Sequence, residues 1–456
     1  MKGRVRRLTS YLIPYTSPIG VWPMTKPISR RTFIKRTGIA SLGVTAFPHI
    51  IPSTALGADG AIAPSNRIVM GAIGTGGQGM YDMRTFLGNP EVQIVAVCDV
   101  DRDHRDDAKK AVDQKYGNTD CASYNDFCEV LARPDIDAVT VCTPDHWHGL
   151  ICIMAAKNGK DMYCEKPLVN AIAEGRAVCD AVQRYGRVLQ TGSHERSRPN
   201  ARYACELVRN GRVGKLHTIH VNLPWDDRDL SALPVPMPVP DGFDYDMWLG
   251  PTPWYPYTEK RCHFWFRYIL EYSGGEVTDR GAHVIDIGQL GNGTDDTGPI
   301  EVEGKGDFLR AGLFDIAVKY HFEFLYANGV RMICSAKQPR GLKFEGNDGW
   351  VFIHIHGGDL EASKPEMLKE VIGPNEVHLG RSPSHHQNFL DAVKTRGKTF
   401  AHEEVGHRTA TMCHLANIAM LTGRKLKWDP AAERITNDET AQLMTRRPMR
   451  GEWRLT

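Results

Sequence analysis

Gly74-Thr75-Gly76-Gly77-Gln78-Gly79 sits between an apolar run, Arg67–Ile73, and a stretch of helical character, Met80–Leu87. Nothing else in the chain limits its fold as tightly. Glycines at this spacing let a strand turn at once into a helix and let a ligand approach the backbone closely. Alone, the pattern is about as common in surface turns. Here a second strand, Val92–Cys98, follows and ends in Asp99, twenty residues after Gly79. That arrangement rests a diphosphate on a helix N-terminus and offers a carboxylate to ribose hydroxyls. Gly74, Gly76, Gly77, Gln78, Gly79 and Asp99 are therefore the expected dinucleotide contacts. The Asp99 charge favours NAD over NADP; Arg102 is close enough in sequence to weaken that preference.

The alternation continues. Ala138–Cys142, Asp161–Cys164 and Val188–Gln190 read as strands, and Asp103–Tyr116, Tyr124–Leu131, His148–Asn158 and Ala171–Tyr185 as helices. Strands alternating with helices predict a doubly wound parallel sheet, a Rossmann domain over 59–190. Ligands bind such sheets beyond the carboxyl ends of the strands, where Thr143-Pro144 and Glu165-Lys166-Pro167 fall. From 191 to 440 the pattern changes. Helix Asn200–Asn210 and strand Leu216–Leu223 precede a Pro- and aromatic-rich stretch, 224–266. Strands follow at Phe314–Phe324, Gly329–Ser335, Leu342–Glu345 and Trp350–His354, then helices Ser384–Thr395 and Glu404–Leu421. Consecutive strands predict an α+β domain with an open, mostly antiparallel sheet, and 441–456 reads as a tail. Trp248, Trp254, Tyr257 and Trp265 either stack on a sugar ring or pack against one another.

Charge separates the first 58 residues from the rest. They hold nine Lys/Arg and no Asp or Glu, which leaves 47 basic against 54 acidic residues beyond them. A mildly acidic body gives no electrostatic support for a nucleic-acid partner. Ser29-Arg30-Arg31-Thr32-Phe33-Ile34-Lys35, the weakly apolar run Thr37–Ile51 and the small residues at 55–58 resemble a twin-arginine (Tat) export signal. The run is too short and interrupted for a stable membrane span. The reading is therefore an exported, periplasmic protein that has met the Tat machinery; the alternative is a cytoplasmic protein with a basic tail. The 11 Cys are scattered without a C-x-x-C, which fits buried free thiols.

GTGGQG, CDVD, TPDHWH and YCEKPL together resemble the glucose-fructose oxidoreductase / inositol dehydrogenase / MocA (Gfo/Idh/MocA) family, over nearly the whole chain beyond the signal. The segments HQNFL, GHR, NIA and WDP resemble a bacterial, often exported branch of it. The resemblance implies hydride transfer from a secondary hydroxyl of a sugar, polyol or glycoside to NAD. It places Lys166 beside the nicotinamide and the reacting carbinol, with Glu165 orienting the site or touching the nicotinamide ribose, and a cis Lys166-Pro167 bond. A free lysine has a pKa near ~10.4, so a base at neutral pH needs a depressed value. The resemblance also gives Asp279 and His283, an i, i+4 pair, the binding of substrate hydroxyls and assistance in proton transfer. Thr143, Pro144 and His148 are expected near the cofactor, and His194 against substrate. Asp286 is spaced to orient His283. No third ligand has clear metal spacing, so no metal is expected. The pairs His354/His356 and His385/His386 read as strand or surface residues. Relatives assemble through the second sheet, which implies a dimer or tetramer. Export implies a tightly held NAD, since a released one is not replaced outside the cytoplasm, and so a dismutation or a redox-neutral cycle. Two alternatives stand beside net oxidation: glycoside cleavage by transient oxidation and elimination, and a non-catalytic sugar-binding protein.

Overall fold

The computed structural model describes residues 66–225 and 228–455; the basic segment read as an export signal lies outside them. Six strands form the first sheet: β1 (Ile68–Ile73), β2 (Val92–Cys98), β3 (Ala122–Tyr124), β4 (Ala138–Val141), β5 (Asp161–Cys164) and β6 (Leu189–Thr191). Their order is β3-β2-β1-β4-β5-β6, with parallel ladders throughout. A parallel sheet is covered on both faces, so its strands carry apolar residues on both sides. Accordingly, every residue of β4 and β5 is buried. The connecting helices are α1 (Gly77–Leu87), α2 (Arg102–Tyr116), α3 (Phe127–Leu131), α4 (Asp145–Lys157) and α5 (Ile172–Arg184).

Local chemistry sets the ends of these helices. Asp101 caps α2 by accepting from the Asp103 amide, and Gly117 ends it at φ 68°. Helix α1 begins after Gly76 with no side-chain cap, which leaves first-turn amides for a ligand. The expected helix 124–131 is in fact the end of β3 followed by the one-turn α3. Asp126 caps α3 by accepting from the Cys128 amide at 2.8 Å, which separates the two elements. Strand order reverses between β1 and β4, and a crevice opens at their carboxyl ends.

The second sheet has nine strands: β7 (Leu216–Asn222), β8 (Glu301–Phe308), β9 (Ala317–Leu325), β10 (Arg331–Ser335), β11 (Gly341–Gly346), β12 (Gly349–His354), β13 (Leu360–Ala362), β14 (Leu426–Asp429) and β15 (Arg434–Ile435). The order is β13-β12-β11-β7-β10-β9-β8-β14-β15. Only β7 and β10 pair in parallel; the other ladders are antiparallel. The remaining helices are α6 (Pro199–Arg209), α7 (Tyr245–Leu249), α8 (Gly281–Asn292), α9 (His385–Thr395), α10 (Glu403–Thr422) and α11 (Glu439–Leu443). One face of the sheet packs on α6, α8 and α10, where Phe322, Phe324, Met332 and Phe344 meet Val284, Ile285 and Met412. Helix α10 also packs on α5, so it belongs to both halves.

A buried ion cluster fixes α8 relative to β6. Arg196 Nε donates to Asp286 Oδ2 at 2.7 Å and Arg196 Nη2 to Asp295 Oδ1 at 2.8 Å, while Thr409 Oγ1 donates to Asp286 Oδ1 at 2.8 Å. Asp286 therefore does not orient His283; its carboxylate is needed to pair the buried guanidinium. Of the segment read as a tail, the described residues 441–455 pack against the body. Trp453 lies edge-on to Trp147, with ring centroids 4.8 Å apart, and Arg447 donates to Glu174 and to the carbonyl of His146. All 11 cysteines are unpaired, and nine of them are buried. No helix among the described residues is long and apolar enough to cross a membrane.

Candidate active site

A crevice of about 570 Å³ opens where β1 and β4 diverge. Its walls hold Gly74, Gly76, Gly77, Gln78, Gly79, Asp99, Thr143, Pro144, His148, Glu165, Lys166 and Asp279. The glycines meet a steric demand. Gly74 has φ 79°, and a Cβ there would lie 2.6 Å from the Cys142–Thr143 peptide. A Cβ on Gly79 would lie 1.9 Å from the Gly74 carbonyl oxygen. Nothing lies within 4 Å of where a Gly77 Cβ would be, so the backbone is open there. Thr143 Oγ1 is buried without a hydrogen-bond partner. Uncapped amides, an open glycine and an orphaned hydroxyl fit a dinucleotide diphosphate.

Asp99 stands at the far end. Its carboxylate accepts from the Thr75 amide at 2.7 Å and the Asp101 amide at 2.9 Å. Burial pushes its pKa up despite those donors. Arg102 turns away, its guanidinium against Gly242 and donating to the Asp241 carbonyl, so it does not line the crevice. The side chain of Gln78 is committed to Asp82, to which it donates at 3.2 Å. His148 braces two of the strand ends: its ring nitrogens lie 2.7 Å from the Pro167 carbonyl and 2.8 Å from that of Thr143. The bond between Lys166 and Pro167 is cis.

The Lys166 ammonium donates to Asp279 Oδ1, and Arg267 Nε lies 3.6 Å from Asp279 Oδ2. Burial opposes the charge on Lys166, but Asp279 and then Glu165 outweigh it and hold the pKa above its ordinary value. Burial likewise favours neutral Asp279, and the Lys166 and Arg267 charges outweigh it, holding that carboxyl well below the usual range. In the protein alone Lys166 is therefore a cation, and the depressed value that a lysine base needs is not met there. His283 is the complement. Burial, reinforced by the Lys166 charge, holds it far below its ordinary value, so it is a neutral imidazole, and its Nδ1 has no partner. Asp279 and His283 do not share a helical face, because α8 begins only at Gly281. His283 and His194 stand off the crevice wall, their ring centroids 4.6 Å apart.

Glu165 is buried beside Gly192, where a Cβ would lie 2.4 Å from its Oε1. Burial, then the neighbouring Asp82 charge, pushes its pKa up to about 8. The folded state thus keeps a proton that an unfolded glutamate loses near its ordinary 4.5. This contribution to stability declines as pH rises between those values and is gone above the higher one. Glu165→Gln should remove that decline. Melting temperatures of both cofactor-free proteins across about pH 5–8 check it; parallel curves would mean that Glu165 is already ionised.

Several site residues were not foreseen. The walls formed by Phe243, His263, Phe264 and Phe266 come from the aromatic stretch, and Arg267 follows it directly. Composition marked that stretch, but nothing marked Arg267 beside it. Trp248 and Tyr257 are buried in an aromatic cluster with Phe243, Tyr245 and Tyr272, while Trp254 is exposed. His385 is buried rather than on the surface: its ring lies 2.8 Å from both Ser197 Oγ and the Thr191 carbonyl. His386 reaches Asp82 at 3.0 Å and stacks on Tyr163.

Comparison with known proteins agrees with this geometry. One family model, described as the oxidoreductase family's NAD-binding Rossmann fold, matches residues 68–193; another, its C-terminal alpha/beta domain, matches residues 216–455. Myo-inositol 2-dehydrogenase of Thermotoga maritima is 27% identical over 227 residues, 49% of this chain and 61% of that protein. A glycosyl hydrolase family 109 protein of Saccharopolyspora erythraea is 32% identical over 169 residues, 33% of this chain and 36% of that protein. These alignments span less than two thirds of each relative's length. The crystal structure of aldose-aldose oxidoreductase from Caulobacter crescentus superposes with a TM-score of 0.59 at 20% identity, over 79% of this chain and 99% of that one.

Proposed function

This chain belongs to the Gfo/Idh/MocA family of oxidoreductases, and on that premise we propose that it oxidises a secondary hydroxyl of a sugar, polyol or glycoside with a tightly held NAD. One observation carries the reading: a charged Lys166 paired to Asp279 at the end of the crevice, with a neutral His283, its Nδ1 without a hydrogen-bond partner, close enough to feel that charge. The first-turn amides of α1, Gly77 and the Thr143 hydroxyl hold the diphosphate, and Asp99 holds the ribose. A bound nicotinamide supplies the hydride acceptor. Lys166 donates a hydrogen bond to the carbinol oxygen and is itself held in place by Asp279. His283 takes the hydroxyl proton, directly or through Lys166. Asp279, sharing its second oxygen with Arg267, keeps the lysine charged and oriented.

The resemblance to a family 109 glycosyl hydrolase supports a second reading, a redox-neutral cycle. Oxidation at one carbon acidifies the neighbouring C–H, a base removes that proton, and the aglycone leaves. Chromogenic glycosides incubated with purified holoprotein, without added NAD, separate the readings. Stoichiometric NADH with a ketosugar supports net oxidation. Aglycone released over many turnovers without NADH supports the cycle. Neither product would leave a sugar-binding protein. Export through the Tat route, suggested by Arg30-Arg31 and the run after them, and assembly as a dimer or tetramer through the second sheet are part of the same proposal.

A further inference from the structure

We propose that His194, Glu195 and His356 form a site for a divalent transition-metal ion, with Zn²⁺ as the best match to the ligand set. His194 and Glu195 lie in the short helical turn His194–Ser197 that follows β6, and His356 lies in the turn after β12. The sequence separates them by 161 positions, so spacing could not reveal them. One ligand atom from each lies within 4.8 Å of the other two.

The distances have a chemical meaning. Zinc bonds of ~2.0–2.2 Å at tetrahedral angles place ligand atoms about 3.4 Å apart. His194 Nε2 is 3.2 Å and His356 Nδ1 is 3.6 Å from Glu195 Oε1. Yet Oε1 is a buried carboxylate oxygen with no aligned hydrogen-bond donor. Arg198, half-exposed, comes no closer than 3.9 Å. Two imidazole nitrogens lie at ion-pair distance from this oxygen without an aligned hydrogen bond, an arrangement that also suits three ligands around a shared ion. The imidazoles are each about one-third exposed, at 34% and 36%, and can close the third edge.

One further observation points the same way. His283, with 5% of its surface exposed and Nδ1 unpartnered, has its ring centroid 4.6 Å from that of His194 and 5.3 Å from that of His356. Two His and one carboxylate leave a fourth position open for water or a substrate oxygen, and that position would adjoin His283. A hydroxyl or carbonyl oxygen of the substrate is the ligand such a position takes. The other His-carboxylate cluster among the described residues, Asp101/His104/His263, includes crevice-wall residues and belongs to the cofactor site already described.

The inference concerns metal binding beside the proposed reaction site and does not depend on which reaction runs at Lys166, so its test uses no turnover. Tag-free full-length protein, stripped with chelator, is titrated with Co²⁺ alone and then with Zn²⁺. The expected result is one Co²⁺ per chain with visible ligand-field bands that Zn²⁺ abolishes. His194→Ala, His356→Ala and the isosteric Glu195→Gln should each weaken Co²⁺ binding by at least about 10–100-fold, the loss that even outer-shell partners cause. NADH binding, followed by fluorescence, reports that each variant is folded. No stoichiometric uptake of either metal, or uptake unchanged in Glu195→Gln and in the double histidine variant, overturns the proposal. So does loss of sugar binding in these variants without metal uptake, which would make the cluster a hydrogen-bonding subsite.

Discussion

Lys166→Ala should lower turnover by about 10²–10⁴-fold while NADH still binds, the range expected when a positioned proton-transfer group is lost. The proposed reaction sets the ammonium against the carbinol oxygen, and Asp279 exists in its charged form largely because of it. Lys166→Arg is the sharper control. It keeps the charge and the partnership with Asp279 but replaces a compact donor with a planar fork, so stability should survive and activity should not. Steady-state turnover, NADH fluorescence titration and melting temperature together check this. Full activity in Lys166→Ala would remove the lysine from the chemistry.

Gly79→Ala should weaken NAD binding by about 10–100-fold, because the ~1–3 kcal/mol cost of forced overpacking falls on the turn that meets the diphosphate. The added methyl would sit 1.9 Å from the Gly74 carbonyl, so β1 and α1 must part. Gly77→Ala separates sterics within the fold from sterics toward the ligand. Nothing in the protein lies within 4 Å of that methyl, so the melting temperature should hold while affinity falls. Calorimetric titration with NAD measures both. Equal affinity in the two variants and the parent protein would place the diphosphate elsewhere.

The half of the molecule that holds the cofactor was legible because its signals are local. A strand, its glycine turn and the next helix are neighbours in sequence, and Lys166 lies at a strand end that hydropathy alone locates. The second half was read less well for physical reasons. Strand β8, Glu-Val-Glu-Gly-Lys-Gly-Asp-Phe, buries Val302 alone and otherwise faces partly outward, so it shows no apolar run. His385 looked like a surface residue at the start of a polar helix, but its burial comes from carbonyl and hydroxyl partners almost two hundred positions away. The charge state of Lys166 was not legible for a related cause. Depression by burial is a property of one residue, whereas the opposing field of Asp279 comes from a loop 113 positions later. The Asp286 assignment failed in the same way, since its partner Arg196 could not be inferred from i, i+3 spacing.

The packing of Trp453, Arg447 and α10 has a consequence for biosynthesis. The dinucleotide-binding half leaves the ribosome before the indole and the guanidinium that cover Trp147, Phe127 and Glu174, which belong to a much later segment. Until that segment is made, the early half presents bare apolar surface and an uncompensated carboxylate, so its final packing waits on residues from the far side of the second sheet.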